Sequence, residues 1–158
     1  MANTQSMCTS FLGEVLTATH NFGTAPIRAA STADTFKAAL YLTSATINAA
    51  TTAYTVTGEV TGTNYTAGGV TVTNATAPLA TNSSATAGVA YWTPSASITY
   101  TTVTLSTAFD CVLIYNSTQS NKAVSVHTFG SQTITAGTFT LTMPSNTTST
   151  ALLRLATT

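Results

Sequence analysis

The residues able to do acid–base or nucleophilic chemistry are few and scattered. Four residues of 158 are acidic (Glu14, Asp34, Glu59, Asp110), four are basic (Arg28, Lys37, Lys122, Arg154) and two are His20 and His127. No two carboxylates are close in sequence, so a glycosidase-type pair would have to be assembled by the fold. His20 and His127 with Cys8 and Cys111 make a Cys2His2 set in number only. Zinc sites draw on two close pairs, and these spacings match none. A Ser-His-Asp arrangement from His127, Asp110 and one of many serines lacks the Gly-x-Ser-x-Gly elbow that presents a nucleophile. Ala67-Gly68-Gly69 has no following Lys and helix to cradle a phosphate, and reads as a turn. The four cations do not cluster, which disfavours nucleic acid. The two cysteines sit in apolar surroundings and read as buried free thiols. These patterns point away from catalysis, metals and cofactors and toward a protein that binds by shape.

The composition agrees. About a quarter of the chain is Thr and only 5% is charged, with formal net charge zero; an average domain is roughly 25% charged. Such a surface stays wet through hydroxyls and tends to associate. Thr is β-branched and favours strands. The start has no basic region leading into an apolar one, so no secretory leader is read. No stretch reaches the roughly 18 apolar residues of a membrane span.

One domain is expected over 1–158: a helix over 4–22, then a β-sandwich over 34–158. Met7, Phe11, Leu12, Val15 and Leu16 share a helical face, which packs either on its own sheet or on a neighbouring subunit. Gly13 weakens that helix by roughly 1 kcal/mol relative to Ala, and Asn21-Phe22-Gly23 reads as its stop. From Thr35 onward the period becomes two. Strands are expected at Phe36–Leu42, Glu59–Tyr65, Val70–Asn74, Val89–Trp92, Ile98–Leu105, Cys111–Tyr115, Ala123–Phe129, Gln132–Thr135, Phe139–Met143 and Leu152–Leu155. A bulge is expected near Thr102, where the alternation changes face. Cys111–Tyr115 is apolar without alternation and reads as the central strand. Ala75–Gly88 reads as a partner-facing loop. Arg154 needs a partner if buried, with Asp110 or Glu59 as candidates. The short strands with regular turns predict an all-β sandwich, jelly-roll or immunoglobulin-like, with one N-terminal amphipathic helix. Phe11, Leu12, Val15, Tyr91 and Trp92 are the candidate partner-contact residues. Aromatics are enriched at interfaces, although core packing is the competing role for Tyr91 and Trp92.

Several strings occur together in order: Met7-Cys8-Thr9-Ser10-Phe11 through His20-Asn21-Phe22, Asp34-Thr35-Phe36-Lys37-Ala38-Ala39-Leu40-Tyr41, Gly58-Glu59-Val60, Tyr65-Thr66-Ala67-Gly68-Gly69, Val112-Leu113-Ile114-Tyr115-Asn116 and Phe139-Thr140-Leu141-Thr142-Met143-Pro144 with Leu152-Leu153-Arg154-Leu155-Ala156. Taken together, the chain resembles a family of small virion structural proteins of tailed bacteriophages. Where members usually carry a charged N-terminal helix, this chain has Phe11-Leu12-Gly13-Glu14-Val15. The resemblance implies a non-enzymatic capsid decoration (cement) protein that contacts the major capsid protein, copies of itself, or both, as a dimer or trimer within the virion. A neck, tail or fibre component is the alternative. From another class, a receptor- or carbohydrate-binding module would need an exposed Tyr91/Trp92 platform.

Overall fold

Apolar runs without alternation become strands buried on both faces. Phe36–Leu42 forms β2 over the expected residues, and Cys111–Asn116 is buried throughout within a longer strand. The computed structural model describes residues 3–16, 19–22, 33–73, 77–81 and 88–156, with the side chains of Thr9, Leu12 and Leu16 outside that description. Its elements are β1 (Ser6–Met7), α1 (Thr9–Leu16), β2 (Phe36–Leu42), β3 (Val70–Thr71), β4 (Leu79–Ala80), β5 (Val89–Trp92), β6 (Ile98–Asn116), β7 (Lys122–Leu141) and β8 (Leu153–Ala156). They build an all-β protein of two antiparallel sheets, one ordered β1-β7-β6-β2-β3 and one ordered β4-β5-β8. Among the described residues no helix is long and apolar enough to cross a membrane.

The centre of the larger sheet is the β6–β7 hairpin. Its turn holds Ser120 and Asn121 at positive φ (54° and 59°). Segments expected as separate strands fuse here: two of them into β6 and three into β7. The reason is that the apparent breaks are absorbed as bulges. Register shifts fall between Tyr100 and Val103, Val103 and Leu105, Leu105 and Phe109, and Phe109 and Cys111. The expected bulge at Thr102 is present, with φ 52°. A bulge adds a residue and re-aims the strand without ending it. The expected central strand is central, with β7 on one side and β2 on the other.

Other expectations are corrected. No helix spans 4–22: Ser6 and Met7 pair with Val126 and Ser125 of β7, and α1 has eight residues. The backbone bonds that Ser6 and Met7 make to β7 outweigh a weak helical tendency already lowered by Gly13. Glu59–Tyr65 is not a strand; it touches the sheet through isolated bridges, Tyr41 with Glu59 and Thr63 with Thr104. The expected Val70–Asn74 strand is reduced to β3. Inside the expected 75–88 loop, Leu79 and Ala80 pair with Tyr91 and Ala90; residues 82–87 lie outside the described residues.

The long 53–69 crossing is held by one buried carboxylate. Glu59 is 6% exposed. Its Oε2 accepts from the Tyr54 hydroxyl at 2.6 Å, and its Oε1 accepts from the Tyr65 hydroxyl at 2.7 Å and the Gly68 N–H at 2.8 Å. Tyr65 in turn accepts from the Leu40 N–H, and Tyr115 donates to the Gly68 carbonyl. Burial pushes the phenols of Tyr41, Tyr65, Tyr100 and Tyr115 above their ordinary values, with the Glu59 charge adding to it. A charge so buried is tolerated because its lone pairs are satisfied.

Candidate functional site

Two sheets and a helix meet around an aromatic cluster, and an apolar cavity opens beside it. Trp92 ends β5 opposite Leu153 of β8 and is 2% exposed. Its ring lies 4.8 Å from Phe22 and 6.2 Å from Phe36. Phe22 stacks on Phe36 at 4.4 Å, and Phe11 from α1 meets Phe22 edge-on at 5.9 Å. Beside them is a cavity of about 180 Å³ lined by Phe11, Val15, His20, Phe22, Pro78, Ala90, Tyr91, Trp92, Leu153 and Leu155. That volume admits one aromatic or branched aliphatic side chain. Leu155, at 38% exposure, leaves apolar surface on its rim.

Four of the five candidate contact residues therefore converge: Phe11, Val15, Tyr91 and Trp92 line one cavity. Of Leu12 only the backbone within α1 is described. Trp92 and Phe11 serve the core first, so an exposed Tyr91/Trp92 platform does not form: Trp92 is buried and Tyr91 is half-buried. Sequence reasoning missed Phe22 and His20. Phe22 read only as part of a stop signal, whereas α1 ends at Leu16 and Phe22 instead stacks on Phe36.

His20 closes one wall through a continuous polar chain. Asn116 Nδ2 donates to Asp34 Oδ2 at 2.8 Å and lies 3.1 Å from His20 Nδ1. That amide can only donate, so Nδ1 accepts, and the Nε2 proton points at Glu14 Oε2, 2.7 Å away. Lys122 Nζ also donates to Glu14. Burial pushes His20 below its ordinary value against the pull of Glu14 and Asp34. Burial alone would raise the Glu14 carboxyl, but hydrogen bonds from Lys122 and His20 outweigh it and hold the group low. Asp34 also accepts from the Asn21 N–H and from Gln119. This chain ties the segment after α1 to the hairpin turn, and its groups are spent on one another.

The remaining reactive groups are likewise engaged. His127 Nε2 lies 2.9 Å from Ser125 Oγ, and burial pushes its value down to about 4. Asp110 takes a 2.6 Å bond from Asn3 rather than completing a Ser-His-Asp set. Burial raises Cys8 to about 11 and Cys111 to about 12, with Glu14 and Asp110 respectively adding to it, so both stay thiols. Among the described residues no three His, Cys, Asp or Glu side chains gather as metal ligands. Arg154 pairs with neither Asp110 nor Glu59. It is exposed, and its Nε donates to the Thr148 carbonyl at 2.6 Å; an exposed guanidinium does not need a carboxylate.

No protein-family model matches the chain, and no curated protein or solved structure matches it.

A pH dependence follows from His127. Its folded value of about 4 lies below the ordinary 6.5, so the unfolded chain binds the proton first as pH falls. The stability is complete above pH 6.5 and declines from there toward pH 4. At pH 5 the loss from His127 is about 2 kcal/mol, and His20 shifts in the same direction. Urea unfolding at pH 7 and pH 5 should show the fall, and His127→Gln should flatten part of it. An unchanged midpoint in the native chain would contradict the burial of a neutral imidazole.

Proposed function

We propose that this chain is a non-enzymatic structural protein of a tailed-bacteriophage particle, a decoration (cement) protein that clamps neighbouring capsid subunits. The observation that carries the reading is the apolar cavity rimmed by Tyr91 and Leu155, set in a surface of threonine hydroxyls with almost no charge. Such a cavity takes an apolar side chain from a neighbour, while hydroxyls tolerate repeated close contacts without burying charges. The titratable groups support binding rather than turnover, since Glu14, His20, Asp34, Glu59, Asp110 and His127 are each hydrogen-bonded within the fold. A neck or tail position uses the same surface and remains the alternative within this class. The burial of Trp92 removes the ground for a carbohydrate platform.

We read the architecture more finely as a two-layer sandwich. Trp92 and Leu153 of the small sheet share one core with Phe36 of the large one. The strand order is its own. An immunoglobulin sandwich keeps its first, second, fifth and fourth strands in one sheet, whereas here β1, β7, β6, β2 and β3 share one.

Removal of residues 1–22 is a poor test, because Cys8 and Phe11 belong to the core. Leu155→Asp, at the exposed rim, should leave folding intact and weaken binding of the purified protein to undecorated heads by at least tenfold. Thr57→Asp, on a distant exposed loop, should bind like the native chain. Equal binding by all three would remove the cavity from the interface.

A further inference from the structure

The outermost strands of both sheets are short, and where β6 runs beyond β2 the 62–64 loop crosses its edge, with the Thr104 N–H donating to the Thr63 carbonyl and Asn64 to the Thr102 carbonyl. β1, β3 and β4 have two residues each, and β8 has four. Short edges are one way a β protein avoids pairing with its neighbours. β7 is different. It spans twenty residues, but β1 covers only Ser125 and Val126. Beyond Val126, β7 has β6 on one side and, among the described residues, no strand on the other. The open stretch Phe129–Leu141 is roughly 40 Å long at about 3.4 Å per residue. It holds no charged residue and no proline, the usual guards of such an edge.

The sequence of this edge also fits itself. Read antiparallel about Ile134, Thr133 meets Thr135 and Phe129 meets Phe139. Ile134 and Phe129 thus face apolar partners and Thr133 faces a hydroxyl, pairs that stabilise adjacent strands, and the intervening Ser131 and Gln132 face the small Gly137 and Ala136. The exposed Thr133 and Thr135 flank the half-buried Ile134, which packs on the core. Bulges can blunt an edge by twisting it. Here β7 carries one at Ala136, φ 45°, and one between Gln132 and Thr128. They lie on opposite sides of Ile134, so a two-fold partner shares the twist. Phe129 and Phe139 already pack together at 5.2 Å with Phe109, and a second copy would extend that cluster.

We propose that the Phe129–Leu141 edge of β7 pairs antiparallel with the same edge of a second copy of this chain, about a two-fold axis at Ile134. The result is one continuous sheet across two protomers. A second copy fits better than another protein because it brings the complementary pattern and no charge, and because the two-fold closes both long edges at once. The inference deepens the assembling role proposed above and rests on it only in the choice of a copy as partner.

The test is sedimentation of the full chain and of two variants whose folding is checked by circular dichroism. The native chain should sediment at twice the protomer mass. Thr133→Lys with Thr135→Lys places like charges opposite each other, as does Thr133→Glu with Thr135→Glu, and each variant should be monomeric. An equimolar mixture of the two should recover the dimer. Separately, Ile134→Cys should cross-link to itself under mild oxidation while Thr107→Cys does not; Cys8 and Cys111 are buried and give little background. A monomeric native chain, or charged variants that remain dimeric, would overturn the proposal. So would equal cross-linking of the two cysteine variants. The assay contains no phage particle, so its failure is distinct from failure of the virion assignment.

Discussion

Gly69→Ala should abolish the soluble native fold. Gly69 lies at φ +69°, and a Cβ there would sit 1.6 Å from the Ala38 carbonyl oxygen and 2.5 Å from its carbon. Both atoms belong to the backbone of β2, so no side chain can swing away. Ala38 pairs with Val70 of β3, and Gly69 closes the turn into β3 by donating to the Thr66 carbonyl. The methyl group would push β3 and the 53–69 crossing off β2 and add left-handed strain. The cost should exceed about 4 kcal/mol, a large part of a typical domain's 5–15 kcal/mol. Gly130→Ala is the control. Nothing lies within 4 Å of its added Cβ and its φ is not positive, so stability should change by less than about 0.5 kcal/mol. Soluble yield and thermal melting of the two variants give the comparison; a Gly69→Ala protein melting like the native chain would refute this packing.

Glu59→Ala should cost about 3–5 kcal/mol. The substitution strands two half-buried phenolic hydroxyls and the buried Gly68 N–H. Each buried donor left unmade costs roughly 1–3 kcal/mol, and the three share one network, so the sum is not additive. Glu59→Gln should cost about 1–2 kcal/mol: the remaining carbonyl still accepts from Tyr65 and Gly68, and Tyr54 can turn to accept from the new amide. Urea unfolding gives the numbers, with the midpoint falling while the slope is unchanged. A Glu59→Ala midpoint within error of the native one would mean that the crossing is held by something else.

Glu59 also shows where the sequence was informative and where it was not. In the sequence Glu59 stood only as a candidate partner for Arg154; its three donors come instead from Tyr54, Tyr65 and Gly68, through a loop path that no periodicity encodes. Phe36–Leu42 and Val89–Trp92 were legible to the residue, because each is a short run of aromatic and aliphatic residues bounded by turn residues. The long β6 and β7 were not. Gly130, Gly137 and Ser106 look like breaks, and only the pairing partner turns them into bulges. The cavity was legible in its members and not in its shape. Phe11, Val15, Tyr91 and Trp92 stood out as aromatic or amphipathic, yet Phe22 and Leu155 complete the site from segments whose local pattern signals a turn and a closing strand. The β7 edge could not be read from sequence, since strand order decides which edges are free.

The proposed virion role is tested most directly by gold-labelled antibody imaging of intact tailed-phage particles obtained from the source of this chain. Label spread evenly over the heads is the predicted result, with a spacing that follows the capsid symmetry. Absence of label from every particle would contradict the virion assignment, and label confined to the neck or tail tip would contradict the cement role.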